Sequence, residues 1–116
     1  MKLPKCGEVV VAREKVVDYL LSQTHPVGRS KAKFFRGLGF HPADWEMLAD
    51  ALKQVAMDNE VSGTEPSPFG TRYIVEGPLE TADGENPVVR TVWFIEKARE
   101  VPRFVTAYPL PRKQVS

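Results

Sequence analysis

Apolar residues recur with a helical period in the first half of the chain and alternate in the last third. A short β-branched stretch at 8–12 predicts a strand, and the apolar spacing at 13–22 predicts an amphipathic helix after it. The same spacing predicts two further helices, at 30–38 and from Pro42 to residue 57 or 58. The first half of the chain is therefore expected to be mostly helical.

The last third carries strand patterns that are separated by turn residues. Alternation predicts strands at 71–79, 88–95 and 103–108, with a turn at Asp83-Gly84. Residues 60–69 are rich in Ser, Gly and Pro and predict a loop. This order predicts an α+β fold, in which two or three N-terminal helices pack on a three- to four-stranded antiparallel sheet.

Composition excludes several classes of protein. With 116 residues, of which 42% are hydrophobic, the chain suits a single domain, 1–116, with a frayed tail at 109–116. No apolar run is long enough to cross a membrane, and no signal-peptide core follows Met1, so we expect a cytoplasmic protein. The single cysteine, Cys6, excludes an internal disulfide, and the two histidines lack metal-ligand spacing. No metal or cofactor is therefore predicted.

The formal net charge is only +1, but positive and negative residues occupy different segments. Residues 24–41 contain basic side chains and no acidic one, whereas the charged residues of 44–65 are six acids and one lysine, Lys53. A folded chain could therefore present one cationic face and one anionic face. Two interpretations stay open: an ordinary solvated helix surface, or a site for anions such as phosphates.

The most distinctive candidate for chemistry is the segment 25–35, in which a histidine in a turn precedes a basic helix start. Amides at a helix N-terminus attract anions, Arg29 adds a bidentate phosphate donor and Lys31 adds a point charge. A histidine titrates near neutral pH, so His25 could act as a general acid or base. Metal-independent RNA cleavage needs these groups, because a 2′-hydroxyl must lose a proton, a phosphorane must be stabilised and a 5′-oxygen must be protonated.

Structural interpretations of the same residues stay open. His25 could cap the first helix, and Arg29 could pair with an acid such as Asp18. His41 precedes the third predicted helix, so we expect it to cap that helix or to lie exposed.

A second candidate lies at the end of the last predicted strand. Alternation places Phe104, Thr106 and Tyr108 on one face, where hydroxyl groups could hold a phosphate or a ring could stack on a base. Arg90 and Arg72 lie on neighbouring predicted strands and could extend that face. The alternative is that the aromatic residues serve only in packing and the arginines are simply exposed.

Several segments resemble an uncharacterised bacterial domain family, and together they span nearly all of the chain. They are residues 1–4, 19–21, 73–79, 90–93 and 102–108 and the block His25-Pro26-Val27-Gly28-Arg29-Ser30-Lys31-Ala32, which carries most of the resemblance. Members of this family resemble domains attached to polymorphic-toxin and phage-head proteins, and stand-alone members are often encoded beside a small partner. The resemblance implies a toxin–antitoxin-like arrangement with a small protein partner.

The order of elements also resembles the barnase–EndoU–RelE group of ribonucleases, in which helices precede an antiparallel sheet. The tetrapeptide Thr106-Ala107-Tyr108-Pro109 is similar to the closing strand of EndoU-type enzymes, which use two histidines and a lysine. Of the two histidines, His25 is carried over as candidate base or acid, whereas the helix-start context of His41 does not match. The resemblance implies phosphate or base contacts for Thr106 and Tyr108.

Together these observations predict a small, toxin-like, metal-independent endoribonuclease that cleaves RNA through a 2′,3′-cyclic phosphate. Its candidate residues are His25, Arg29 and Lys31 for catalysis and Arg90, Thr106 and Tyr108 for phosphate or nucleotide binding. The main alternative is a non-catalytic protein-binding module of a two-gene, toxin–antitoxin-like pair, which the balanced net charge favours. A structural or oligomerisation domain is a third interpretation.

Overall fold

Helices form one layer of the molecule and a four-stranded sheet forms the other. The computed structural model describes residues 1–22, 24 and 29–110. For Arg29 and Ser30 it describes only the backbone, which begins a helix. The elements are α1 (Arg13–Lys15), α2 (Arg29–Gly37), α3 (Trp45–Asp58), β1 (Val61–Ser67), β2 (Gly70–Pro78), β3 (Val88–Glu96) and β4 (Arg103–Pro109). Short helical turns lie at Cys6–Glu8, Val16–Leu20 and Pro42–Asp44. This arrangement confirms the predicted α+β class.

The sheet is an antiparallel meander with the strand order β1-β2-β3-β4. Its register aligns Glu76, Arg90 and Tyr108 in one row across three strands, and it aligns Val92 with Thr106 in the next row. Side chains that are directly opposite each other on neighbouring strands lie on the same face. We call the face that carries these two rows the outer face, because α3 packs on the other one.

The inner face of the sheet packs against α3 and forms the core. The buried apolar residues of this contact are Val75, Val89, Trp93, Phe104 and Ala107 from the sheet and Leu48, Leu52 and Val55 from the helix. Thr91 is a buried polar residue among them. Its hydroxyl donates to the backbone oxygen of Val75 at 2.7 Å and accepts from Nε1 of Trp93 at 2.8 Å. Both buried polar side chains are thereby satisfied, which avoids a cost of about 1–3 kcal/mol for each unpaired group.

The prediction of a strand at 8–12 is wrong. A 3₁₀ turn occupies Cys6–Glu8, and Val10 forms an isolated parallel bridge with Arg103. Two backbone hydrogen bonds, from Val10 to Pro102 at 3.0 Å and from Phe104 to Val10 at 2.8 Å, hold this segment along the edge of β4. The β-branched run therefore extends a sheet edge at one residue rather than forming a strand of its own.

The prediction of a loop at 60–69 is also wrong, because most of it forms β1. This strand pairs with β2 through a hairpin whose two-residue turn is Pro68-Phe69. Backbone pairing with a strongly patterned neighbour outweighs the weak strand propensity of Gly63 and Pro66. A proline is tolerated here because β1 lies at the edge of the sheet.

A β-bulge in β4 changes the predicted face of one aromatic residue. Trp93 pairs with Phe104, whereas the residue before Trp93 pairs with Thr106, so Val105 is the extra residue. Phe104 is consequently buried on the inner face, while Thr106 and Tyr108 lie on the outer face. The prediction that all three residues share one face is wrong, because a bulge interrupts the alternation on which it was based.

The end of the chain continues the sheet as far as the structure describes it. Pro109 belongs to β4, and the backbone N–H of Leu110 donates to the oxygen of Val88 at 3.2 Å. Residues 111–116 of the predicted frayed tail lie outside the described residues, and so do residues 25–28 of the turn predicted after the first helix. In the part of the chain that is described, no helix is long and apolar enough to cross a membrane.

Candidate functional site

Tyr19 connects the helical layer with the last strand. It lies in a π-helical turn, Val16–Leu20, which is closed by a hydrogen bond from the backbone of Leu21 to Val16 at 2.8 Å. This turn buries Val16 and Leu20 but leaves Tyr19 half-buried. The hydroxyl of Tyr19 lies 3.1 Å from Oγ1 of Thr106 in β4. A tyrosine and a threonine that are far apart in sequence thus present adjacent hydroxyl groups.

Two lysines lie over the Tyr19 ring. The ammonium nitrogen of Lys31, in the first turns of α2, is 5.3 Å from the ring centre, and that of Lys15, in α1, is 5.7 Å away. Both distances fall within the range of cation–π contacts. Within residues 1–22, 24 and 29–110, neither lysine forms an ion pair. The two positive charges are therefore not balanced by a described carboxylate.

These neighbours change the acidity of the Tyr19 hydroxyl. Burial alone would raise the pKa of Tyr19, but the hydrogen bond with Thr106 and the charges of Lys31 and Lys15 outweigh that effect and lower the pKa. A more acidic hydroxyl is a better hydrogen-bond donor to an anion. The surroundings of Tyr19 therefore favour negative charge.

A second polar cluster occupies the row of Glu76, Arg90 and Tyr108 on the outer face. Two guanidinium nitrogens of Arg90 bind one carboxylate oxygen of Glu76, at 2.7 Å for Nε and 2.6 Å for Nη2. A third nitrogen, Nη1, donates to the Tyr108 hydroxyl at 3.3 Å. Hydrogen bonds to Tyr108 and Glu76 raise the pKa of Arg90, so it stays charged. Unlike the two lysines, this arginine has a carboxylate partner.

The two clusters are neighbours along β4. Thr106 and Tyr108 are separated by one residue and lie on the same face, which places their Cα atoms about 7 Å apart. That spacing is close to the distance between successive phosphates on one nucleic-acid strand. The two clusters could therefore contact one extended anionic chain.

Comparison with known proteins assigns the chain to a family. Residues 2–111 match the family described as Domain of unknown function (DUF6883). The chain belongs to this family. The family assignment agrees with the resemblance of the sequence to an uncharacterised domain family. A comparison with curated proteins found no match.

The DUF6883 chain also shares its fold with a solved structure. One chain of a contact-dependent growth inhibition toxin–immunity protein complex from Klebsiella pneumoniae 342 aligns with a TM-score of 0.70. The alignment covers 92% of this chain and 97% of that chain, at 22% sequence identity. At 22% identity, this similarity shows that the two chains share a fold.

Four of the six predicted site residues of this DUF6883 chain come together. Lys31 contacts Tyr19, which binds Thr106, and the next row contains Arg90 and Tyr108. The two remaining predicted residues are Arg29, whose backbone begins α2, and His25, which lies outside the described residues. His41 is exposed before the Pro42–Asp44 turn, and its side chain makes no capping hydrogen bond.

Three neighbours in these clusters were missed from the sequence. From the apolar pattern, Tyr19 is interpreted as a residue that packs in a helix. Lys15 lies four positions before Tyr19, and this spacing brings side chains together on a helix. No local sequence pattern marks Glu76 as a site residue, because only the strand register places it opposite Arg90.

Among the described residues, no group of three His, Cys, Asp or Glu side chains could hold a metal ion.

Proposed function

We propose that this protein is a toxin-like, metal-independent endoribonuclease that cleaves RNA through a 2′,3′-cyclic phosphate. The observation that carries the proposal is the chain of contacts from Lys31 through Tyr19 to Thr106. It joins the basic start of α2 to the end of β4, two segments that the sequence pattern singles out independently. Two lysines that have no carboxylate partner in the described part of the chain, beside two hydroxyl groups, suit the negative charge that develops on a phosphorane.

Each residue of the site has a role in this proposal. Lys31 and Lys15 stabilise the charge on the phosphate oxygens. In the Tyr19–Thr106 pair one hydroxyl donates to the other, and the second O–H donates to a phosphate oxygen. In the next row, Arg90 and Tyr108 bind a neighbouring nucleotide. Glu76 offsets part of the charge of Arg90, which makes this arginine a weaker phosphate ligand than the lysines.

His25 and Arg29 complete the proposed reaction. A base takes the proton of the 2′-hydroxyl, the 2′-oxygen attacks the phosphorus, the bond to the 5′-oxygen breaks and an acid protonates that oxygen. We assign His25 to one of the two proton transfers. Arg29 begins α2 two residues before Lys31, within the same helical turn, and we assign it to phosphate binding.

The test is cleavage of total RNA by the purified protein in the presence of EDTA. The variants His25→Ala and His41→Ala are purified in the same way, because His41 is exposed and has no assigned role. Removal of a general acid or base is expected to lower the cleavage rate by about 100-fold or more for His25→Ala. His41→Ala is expected to cleave at the wild-type rate, with 2′,3′-cyclic phosphate ends.

Two results would contradict parts of the proposal. Equal cleavage by His25→Ala and wild type would remove His25 from the mechanism. The absence of cleavage by folded wild-type protein across a range of pH would reject the ribonuclease itself.

A non-catalytic protein-binding module of a two-gene pair is the second candidate. The observation that favours it is the shared fold with a chain from a complex of two different proteins, a toxin and an immunity protein. Co-expression with a small protein encoded beside this one tests it by size-exclusion chromatography. A stable complex of a protein without any cleavage activity would support the binding module, whereas a partner that suppresses RNA cleavage would support the toxin-like enzyme.

A further inference from the structure

A groove with a volume of about 600 Å³ opens on the outer face of the sheet, between the β1–β2 hairpin and the beginning of β4. Its basic and aromatic lining consists of Lys15, Phe69, Arg72, Phe94 and Arg103, and Glu65 is its acidic residue. The volume lies in the range of about 300–1,000 Å³ that is usual for ligand sites. The groove is separate from the row that contains Arg90 and Tyr108.

A flat aromatic ring lies in the middle of the groove between two arginines. The strand register aligns Arg72, Phe94 and Arg103 across three neighbouring strands. The guanidinium carbon of Arg103 is 5.3 Å from the centre of the Phe94 ring. Arg103 also donates to Glu96 at 3.0 Å, which holds it in this position. The row thus offers a stacking surface with positive charge on both sides.

A second aromatic ring projects from the hairpin turn at the edge of the groove. The side chain of Phe69 is 78% exposed. The turn is defined by Oγ of Ser67, which donates to the oxygen of Gly70 at 3.0 Å and accepts from the backbone of Phe69 at 3.3 Å. Gly70 has a φ of 150°, and a Cβ there would collide with the backbone of Ile95. A tightly built turn therefore presents an apolar ring to solvent.

The charge of the groove is predominantly positive. Among the lining residues, three are basic and one, Glu65, is acidic. Arg103 shares its charge with Glu96, but Lys15 and Arg72 form no ion pair within the described ranges. Glu65 lies directly opposite Arg72 in the strand register but forms no described ion pair with it, so Arg72 and Lys15 are the cations of the groove without an ion-pair partner among the described residues.

Lys15 links this groove to the candidate catalytic site. The same side chain lines the groove and lies 5.7 Å from the centre of the Tyr19 ring, whose hydroxyl contacts Thr106. A chain bound along the outer face could therefore reach both places. Aromatic rings interleaved with cations are the arrangement by which proteins bind unpaired nucleotides, because bases stack on rings while basic residues hold the phosphates.

We propose that this groove binds a single-stranded segment of RNA next to the phosphate that is cleaved. An unpaired base stacks on the exposed ring of Phe69, and Lys15 and Arg72 bind the flanking phosphates. The inference rests on the proposed ribonuclease function and adds to it the substrate class, unpaired RNA rather than duplex. It also assigns a binding role to residues outside the catalytic cluster.

The test measures binding without cleavage. A fluorescent oligoribonucleotide with 2′-O-methyl riboses is titrated with the protein, since a methylated 2′-oxygen cannot attack the phosphate. Fluorescence anisotropy then gives Kd for wild type, Phe69→Ala and Arg72→Gln. The matched controls are Met47→Ala, an exposed apolar residue of α3, and Lys53→Gln, a lysine of the same helix.

Phe69→Ala is expected to raise Kd about tenfold, the effect of losing one stacked base. Arg72→Gln is expected to weaken binding and to lower the slope of log Kd against log salt concentration by about 0.7, the value for one phosphate contact on a single strand. Both controls should bind like wild type, and an unlabelled RNA duplex should compete at least about tenfold less well than the single strand.

Failure of this inference is distinguishable from failure of the enzyme. Wild-type cleavage combined with an unchanged Kd in both groove variants would overturn the groove assignment and leave the ribonuclease intact. Equal competition by duplex RNA would overturn the stacking of an unpaired base. Lack of oligonucleotide binding by wild type at low salt would also overturn the inference, and the cationic groove would then suit an acidic protein partner.

Discussion

The two polar clusters on the outer face contain similar side chains but differ in how their positive charge is balanced. Arg90 binds Glu76 through two nitrogens and contacts Tyr108, so its charge has a partner within the sheet. Lys31 and Lys15 surround Tyr19 without a carboxylate partner in the described part of the chain. An arginine that is already paired is a weaker ligand for a phosphate, whereas lysines without a carboxylate partner among the described residues bind it more strongly.

The largest expected effect of this difference is on catalysis. Lys31→Gln removes a cation from the phosphate site, and loss of one preorganised donor typically lowers rates by about 100-fold or more. We therefore expect RNA cleavage by Lys31→Gln to be about 100-fold slower than by wild type. The measurement is the initial rate of cleavage in EDTA.

Lys33→Gln is the matched control, since Lys33 lies exposed on the same helix. It should leave the rate within about twofold of wild type, the tolerance expected for an exposed side chain that contacts no substrate. Equal rates for the Lys31 and Lys33 variants would show that the charge near Tyr19 has no special function.

A smaller effect is expected on stability at the paired cluster. Arg90→Gln removes the partner of Glu76, which is partly buried, so the melting temperature should fall by roughly 2–4 °C. A double-mutant cycle with Glu76→Gln measures the coupling between the two side chains. If the double variant melts at the temperature expected from simply adding the two single effects, the pair contributes no coupling and the contrast between the clusters is lost.

The smallest effect is on the titration of Tyr19. Its pKa should lie below that of a free tyrosine, about 10, and Lys31→Gln should move it upward. NMR of the labelled tyrosine ring measures both values, with Tyr19→Phe used to assign the signal. A pKa that is unchanged by Lys31→Gln would mean that the lysine does not act on the hydroxyl.

The same shift predicts a direction for the pH dependence of stability. The folded protein releases the Tyr19 proton at a lower pH than the unfolded chain does, so the unfolded chain binds more protons between the two pKa values. Relative to Tyr19→Phe, wild type should gain stability as the pH rises toward about 10 and lose that gain as the pH falls through the folded pKa. Urea unfolding of both proteins across this range gives the comparison.

Much of the fold could be predicted from the sequence where a long periodic pattern meets a clear boundary. The helix from Pro42 to residue 58 and the strands around Trp93 follow directly from their apolar spacing. The segment 60–69 could not be predicted, because its strand is stabilised by pairing with β2 rather than by its own residues. Short segments with Gly and Pro depend on such partners.

The candidate site likewise has features that the sequence predicts and features that depend on contacts between distant segments. The sequence by itself determined which chemical groups are present: the basic block around Lys31, and the hydroxyls of Thr106 and Tyr108 at the end of a strand. Only the tertiary structure decided which of them meet. The π turn directs Tyr19 toward Thr106, and the bulge at Val105 separates Phe104 from that face.

The physical reason lies in the range of the interactions involved. Helical and strand periods depend on residues that are near in sequence, so a local pattern can reveal them. The pairing of Arg90 with Glu76, and the absence of such a partner for Lys31 among the described residues, depend on strand register and helix packing across the molecule. Those long-range contacts determine which charges are balanced and which remain for a ligand.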